Sequence, residues 1–232
     1  PYYRLEVIES GGRVHLHPDG TRHVHHEDTD VRGLYVTYLS FERPGTWGLE
    51  VLAKGDGPVA AARFTVDVRA VPQTPALGAP APRSRNLILG DVDDLRQIDT
   101  SDPPDPRLHR VRIADAIAQG KPQVIVFATP RYCVSRLCGP VLDVVRTLLP
   151  TYGDRVAFIH QEIWQDLSAQ QLFPTVAEWN LPSEPWIFVV DHQGLIRAKF
   201  EGLTTARELE AALQQLLEQR ARDEPAGRAM GR

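Results

Sequence analysis

VIVFATPRYCVSRLCGPVLDVV, residues 124–145, joins an unbroken apolar run to a short aromatic and polar break and then to a second apolar run of different period. A short apolar run bounded by turn signals reads as a strand buried on both faces, whereas GPVLDVVRTLLPTYG, residues 139–153, spaces its apolar residues as one face of a helix. The stretch therefore reads strand, loop, helix. The only two cysteines of the chain, Cys133 and Cys138, fall in the loop and near the helix start.

The same rhythm continues on both sides. VRIADAIAQG reads as a short helix ending at Gly120, RVAFIHQEI as a second buried strand, and DLSAQQLFPTVAEWN as mostly helical despite Pro174. PWIFVVD and LIRAKFEG read as strands around the turn HQG, and TTARELEAALQQLLEQR as an amphipathic helix with Leu209, Leu213, Leu216 and Leu217 on one side. Strands separated by helices of this size predict a central sheet covered on both faces, an α/β domain over residues 86–220. The tail over 221–232 is expected to fray.

Upstream the pattern changes. VPQTPALGAPAPRSR, residues 71–85, carries Pro72, Pro75, Pro80 and Pro82 without periodicity and reads as a semi-rigid extended linker. Before it, YYRLEVIE, GRVHLH, LYVTYLSF, WGLEVLAK and VAAARFTVDV are strand-like runs broken by turn pairs such as Pro44-Gly45 and Asp56-Gly57. Residues 1–70 thus read as a small all-β sandwich.

Composition narrows the function. The 232 residues are 42% hydrophobic and 24% charged, with a formal net charge of -4, and the 26 basic residues are scattered. No basic stripe tracks a phosphate backbone, so nucleic acid is not an expected partner. No apolar run is long enough to cross a bilayer, and no secretory signal is present, although a chain beginning at Pro1 without Met reads as trimmed of any targeting segment. Two cysteines cannot frame a disulfide-rich fold, so their chemistry is local.

Cys133, past a buried strand and before a helix, is placed where helix amides and the helix dipole stabilise a thiolate, with Arg131 and Arg136 close in sequence. Cys138 follows five residues on. In a continuous helix the two side chains would lie on different faces, beyond the roughly 3.5–4.5 Å between Cβ atoms that a disulfide needs. A bond between them requires VSRL to be non-helical. Cys138 could equally be a small buried hydrophobe, and zinc lacks the third and fourth ligands nearby.

VIVFATPRYCVSRLC and the later LPSEPWIFVVDHQGLIRAKFEG resemble the thioredoxin-like superfamily, in particular its extracytoplasmic thiol-disulfide oxidoreductase and redoxin branch, over about Asn86 to Arg220. The resemblance implies a thioredoxin-like fold with Cys133 as the attacking thiol and Pro185, preceded by Glu184, as a cis-proline facing it. It also implies protein thiols or disulfides as partners, a membrane-bound electron donor, and no required cofactor. Arg136 stands where that family has its second cysteine. Four intervening residues are instead similar to one class of peroxiredoxins, but the Pro and Thr of that signature are replaced by Val126 and Pro130. A copper-binding redoxin would space its cysteines three apart and add a distal histidine, for which His160 and His192 are available.

Trp164, Trp179 and Trp186 read as packing residues, with Trp186 placed to border the cysteine groove, and Glu162 reads as a solvated strand end. HLHPDGTRHVHHED brings His15, His17, His23 and His25 onto facing positions of a hairpin, candidate ligands for copper or zinc or simply an exposed His-rich turn. LYVTYLSFERPGTWGLEVLAKGDG is similar to bacterial immunoglobulin-like accessory domains of cell-envelope proteins. That implies an extracytoplasmic setting: secreted, in the envelope, or anchored through a removed N-terminal segment. Three functions follow: a thiol-disulfide oxidoreductase, a thiol peroxidase, or a non-catalytic binding or assembly protein on a redoxin scaffold.

Overall fold

The computed structural model describes residues 2–8, 39–54 and 57–223. The chain divides into two compact units, Pro1–Pro72 and Gln73–Arg232.

The described part of the first unit is one three-stranded sheet. β1 (Tyr2–Ile8) runs parallel to β2 (Gly45–Lys54), which pairs antiparallel with β3 (Ala60–Val68). Trp47 and Leu49 on β2 are buried, and Phe41 packs edge-on against Trp47 at 5.2 Å between ring centroids. Glu50 is buried on the same strand because Arg63, its partner in the β2–β3 register, supplies a 2.6 Å ion pair. Residues 39–41, the end of the LYVTYLSF run, are not in a strand. The histidine-rich hairpin with His15, His17, His23 and His25 lies outside the described residues.

The second unit has the predicted α/β layering. Its four-stranded sheet has the order β5-β4-β8-β9, from β4 (Gln123–Phe127), β5 (Ala157–Gln161), β8 (Trp186–Val190) and β9 (Ile196–Glu201). β4 and β5 are parallel, and β8 and β9 are antiparallel to their neighbours. Every residue of β4, β5 and β8 is buried, as expected of strands covered on both faces. Alternation sorts their side chains: Val124, Val126, Ile187 and Val189 pack with Leu142, Val145, Leu209 and Leu213, from α2 (Cys138–Tyr152) and α4 (Ala206–Asp223). Ile125, Phe127, Phe188 and Val190 face the other way, onto Ile113 and Ile117 of α1 (Ile113–Ala118) and Val176 of α3 (Pro174–Glu178), with Trp179 fully buried among them. The element order around this sheet is β4-α2-β5-α3-β8-β9-α4.

Two local readings are corrected. Residues 166–173 are not helical: β6 (Trp164–Asp166) and β7 (Gln171–Leu172) form a small hairpin, and helix begins only at Pro174. The Asp166 carboxylate accepts from Ser168 N at 2.9 Å, Ser168 Oγ at 2.6 Å and Ala169 N at 3.1 Å, which holds a turn where a helix would need those amides. Pro174 suits a first helical position, where no amide hydrogen is needed. At the C-terminus, α4 continues through Ala221 to Asp223.

The proline-rich segment is extended and lies along the second unit from Gln73 onward. Gly78 N donates to Ile196 O at 2.8 Å, Ala81 N to Gly194 O at 2.8 Å, and Trp179 Nε1 to Ser84 Oγ at 3.0 Å. The turn it covers needs its glycine: Gly194 has φ +80°, and a Cβ there would sit 3.0 Å from Ile117 Cγ2. Gly194→Ala is expected to cost about 1–3 kcal/mol, the scale of a left-handed non-glycine residue. An unchanged urea midpoint for the variant would show that the turn relaxes instead.

Candidate functional site

The sheet register assembles the site. Phe127, the last residue of β4, pairs with Trp186, the first of β8, and with Gln161, the last of β5. The residues that follow β4 and β5 and precede β8 therefore meet at one edge: Thr129 and the cysteine loop, Glu162, and Glu184-Pro185. The Glu184-Pro185 bond is cis, as the resemblance implied for Pro185.

Cys133 and Cys138 form a disulfide, with their Cα atoms 6.0 Å apart. The bond exists because VSRL is a turn rather than a helix. Arg136 N donates to Cys133 O at 3.1 Å, Arg136 has φ +57°, and α2 starts at Cys138 itself. The helix N-terminus lies at Cys138, five residues past Cys133, and VSRL is non-helical as a bond between the two cysteines requires. The two sulfurs also differ in access. Cys138 is fully buried in the α2 face of the core, whereas Cys133 is part-exposed, with its Sγ 3.1 Å from Ser135 Oγ. Its neighbours Tyr132 and Val134 are 45% and 97% exposed, so apolar surface flanks the reachable sulfur.

Two carboxyls, Glu162 just past β5 and Glu184 just before β8, sit at this edge of the sheet. Glu162 is buried, contrary to its reading as a solvated strand end, and accepts from Thr100 N at 2.8 Å and Ile163 N at 3.3 Å. Glu184 Oε2 lies 3.6 Å from Cys138 Sγ. Burial pushes the Glu184 carboxyl up, and the charge of Glu162 acts in the same direction against the opposing pull of Thr129 and Trp164. Trp179 and Trp186 are buried packing residues, and Trp186 Nε1 donates to Ser183 Oγ at 3.0 Å beside the cis bond. Trp164 instead lines a trough of about 480 Å³ with Thr129, Tyr132 and Glu162.

A second group beneath the loop has no sequence motif. Asp99, His109 and His160 are all buried, with ligand-capable atoms within 4.8 Å of one another. The Asp99 carboxylate accepts from Ser101 N at 2.9 Å, Ser101 Oγ at 2.5 Å and Asp105 N at 2.9 Å, and from His109 Nε2 at 3.1 Å. His160 Nε2 donates to Ala128 O at 3.0 Å, which turns its Nδ1 toward Asp99 Oδ1 at 3.6 Å, an ion-pair contact longer than a hydrogen bond. With the carboxylate's lone pairs taken and three ligands rather than four, the group fits a buried ion pair better than a structural metal cage.

Burial works against the His160 imidazolium, but Asp99 outweighs it and raises His160, while burial prevails at His109 and lowers it. Despite its own burial, Asp99 is held well below the usual carboxylate range by His109, His160 and Ser101. The group also shapes the cysteine loop. His160 holds Ala128, and Thr100, next to Asp99, accepts from Arg131 N at 3.3 Å and donates to Glu162. His192 is not among these residues.

No protein-family profile matches the sequence, and no curated protein matches it. Among solved structures the chain is similar to a DsbF homologue from Corynebacterium diphtheriae, at 19% identity over 46% of this chain and 77% of that one, with a TM-score of 0.38. StoA from Bacillus subtilis is 17% identical over 40% and 83%, with a TM-score of 0.32. A thioredoxin-family thiol:disulfide interchange protein from Chlorobium tepidum is 14% identical over 45% and 84%, with a TM-score of 0.36. Each of these structures aligns with less than half of this chain.

Proposed function

We propose that this chain is a thiol-disulfide oxidoreductase of an extracytoplasmic compartment, acting on protein thiols or disulfides through Cys133 and Cys138. The observation that carries the reading is the unequal access of the two sulfurs in one disulfide at the sheet edge that also bears the cis-proline. In the reducing direction, the part-exposed Cys133 thiolate attacks a substrate disulfide. One substrate sulfur leaves as a thiolate and a mixed disulfide forms. Cys138 then attacks Cys133 Sγ, releases the second substrate thiol and restores the internal disulfide, so the enzyme loses the two electrons that the substrate gains. The exposed Tyr132 and Val134 beside Cys133 suit a protein partner. An oxidising compartment keeps such a pair in exchange, and the amino-terminal sheet, read as an immunoglobulin-like accessory module, positions the second unit there.

Cys138→Ser, reduced and then presented with oxidised envelope proteins, is expected to accumulate mixed disulfides at Cys133 that the native protein resolves. Non-reducing electrophoresis followed by peptide mass mapping reads this directly. A variant that captures nothing, or captures through another residue, removes Cys138 from the resolving role.

A further inference from the structure

Resting on the proposed cycling of Cys133 and Cys138 between disulfide and dithiol, we infer that the reduced protein binds a zinc ion through Cys133 Sγ, Cys138 Sγ and the Glu184 carboxylate, with a fourth position open. In sequence the two cysteines have no further ligand near them. The fold supplies one: the ligand atoms of Cys133, Cys138 and Glu184 all lie within 4.8 Å of one another, and Glu184 Oε2 is 3.6 Å from Cys138 Sγ.

These spacings suit a tetrahedral ion. With Zn–S about 2.3 Å and Zn–O about 2.1 Å, tetrahedral angles set sulfur and oxygen about 3.6 Å apart and two sulfurs about 3.8 Å apart. The Cys138–Glu184 pair already stands at the first of these separations. The second is reached after reduction, when the sulfurs are no longer bonded and Cys133, part-exposed before the VSRL turn, can draw away from Cys138 at the start of α2. The disulfide therefore abolishes the site and the dithiol opens it.

Donor chemistry selects the ion. Two thiolates and a carboxylate suit zinc, which takes sulfur and oxygen ligands together, whereas copper(I) favours soft donors throughout. The imidazole of a copper-binding redoxin has no counterpart here, since His160 Nε2 donates to Ala128 O and its Nδ1 faces Asp99. Among the described residues, no Lys or Arg forms an ion pair with Glu184 or Glu162. A divalent cation offsets the negative charge that two thiolates add beside these carboxyls. Three protein ligands and an open position on the Cys133 side, where Tyr132 and Val134 are exposed, make an exchangeable site rather than a structural one.

Proton release balances the binding. Two thiols lose their protons to solvent, two Zn–S bonds and one Zn–O bond form, and neither sulfur changes oxidation state. When the pair gives two electrons to a substrate disulfide, the Cys133–Cys138 bond forms and the ion leaves as Zn2+.

Cobalt(II) is the probe, because its thiolate complexes are coloured where those of zinc are not. The reduced full-length chain, kept anaerobic, is expected to show sulfur-to-cobalt charge-transfer and tetrahedral d–d absorption that saturates at one equivalent and is bleached by added Zn2+. The oxidised chain should show neither, and it serves as the blank for any cobalt held by the histidines near the amino terminus. In reduced Glu184→Gln, zinc affinity read by competition with a chromophoric chelator is expected to fall on the order of 10²-fold, with Glu184→Asp recovering part of the loss.

A reduced native protein without the charge-transfer band overturns the site, as does a Glu184→Gln affinity equal to the native one, which would mark binding by the thiols alone. Mixed-disulfide capture by Cys138→Ser involves no metal, so capture without cobalt binding sinks the zinc site only. A pair that yields no free thiols under reductant sinks the exchange reading and the zinc site together.

Discussion

Cys133→Ser is expected to abolish thiol-disulfide exchange, with a loss on the order of 10³-fold or more, the scale on which removing a nucleophile acts. The remaining thiol cannot compensate. Cys138 is fully buried in the α2 face of the sheet, against Val141, Leu142 and Val145, whereas Cys133 is the sulfur that a partner can reach. A serine hydroxyl at 133 is not ionised at neutral pH and forms no disulfide, so neither the first attack nor the internal bond survives. Stability responds far less than activity, because the lost bond closes only a short loop. The check is insulin or model-disulfide reduction by native, Cys133→Ser and Cys138→Ser proteins, alongside urea midpoints. Native-like exchange by Cys133→Ser would place the reactive sulfur at Cys138 and reverse the roles proposed above.

Asp99→Asn is expected to destabilise the second unit by about 3–5 kcal/mol, the cost of breaking a buried ion pair by removing one partner. The substitution keeps the shape but removes the charge, and it sets an amide NH2 among the donors now aimed at Asp99 from Ser101, Asp105 and His109. It also strands His160. Because His160 Nε2 must carry the hydrogen that Ala128 O accepts, a neutral ring would turn the Nδ1 lone pair toward the carboxylate. The imidazolium is the state that matches both neighbours.

This gives the pH dependence a sign. The folded pKa of His160 is raised above 6.5, so its contribution is fully present below the unfolded value and is lost as pH rises through the folded one. His109 acts oppositely: its folded pKa is lowered, so its neutral form is favoured and stability falls as pH drops from 6.5 through the folded value. Removing Asp99 should erase the alkaline loss due to His160, so the deficit of Asp99→Asn relative to the native protein is expected to be larger at about pH 6 than at about pH 9. Denaturant titrations at the two pH values test this. Equal stability of the two proteins at both would show that the cluster is not an ion pair.

Much of this architecture is legible in local pattern. The apolar run ending in Phe127 could only be a strand covered on both faces, and the spacing of Val141, Leu142, Val145 and Leu148 could only be a helix with one buried side, because periods of two and 3.6 residues leave different traces in a chain. Pattern also showed that a Cys133–Cys138 bond demands a non-helical VSRL. It misread residues 166–173, where the Asp166 turn takes amides that a helix would have used.

The chemistry around the cysteines belongs to tertiary structure. Glu184 meets Cys138 across 46 residues of sequence, Asp99 is 10 residues from His109 and meets His160 of β5 from a loop, and Thr100 reaches Glu162 across 62 residues. Local periodicity tells which face of an element is apolar but not which elements become neighbours. That choice is made by the register that sets Phe127 beside Trp186 and Gln161, bringing the Glu184 carboxyl to the buried sulfur of Cys138. The sequence by itself determined a cysteine-bearing loop between a buried strand and a helix. Only the fold decided that the helix begins at Cys138, that Cys133 is the sulfur left within reach, and that a carboxyl waits beside the other.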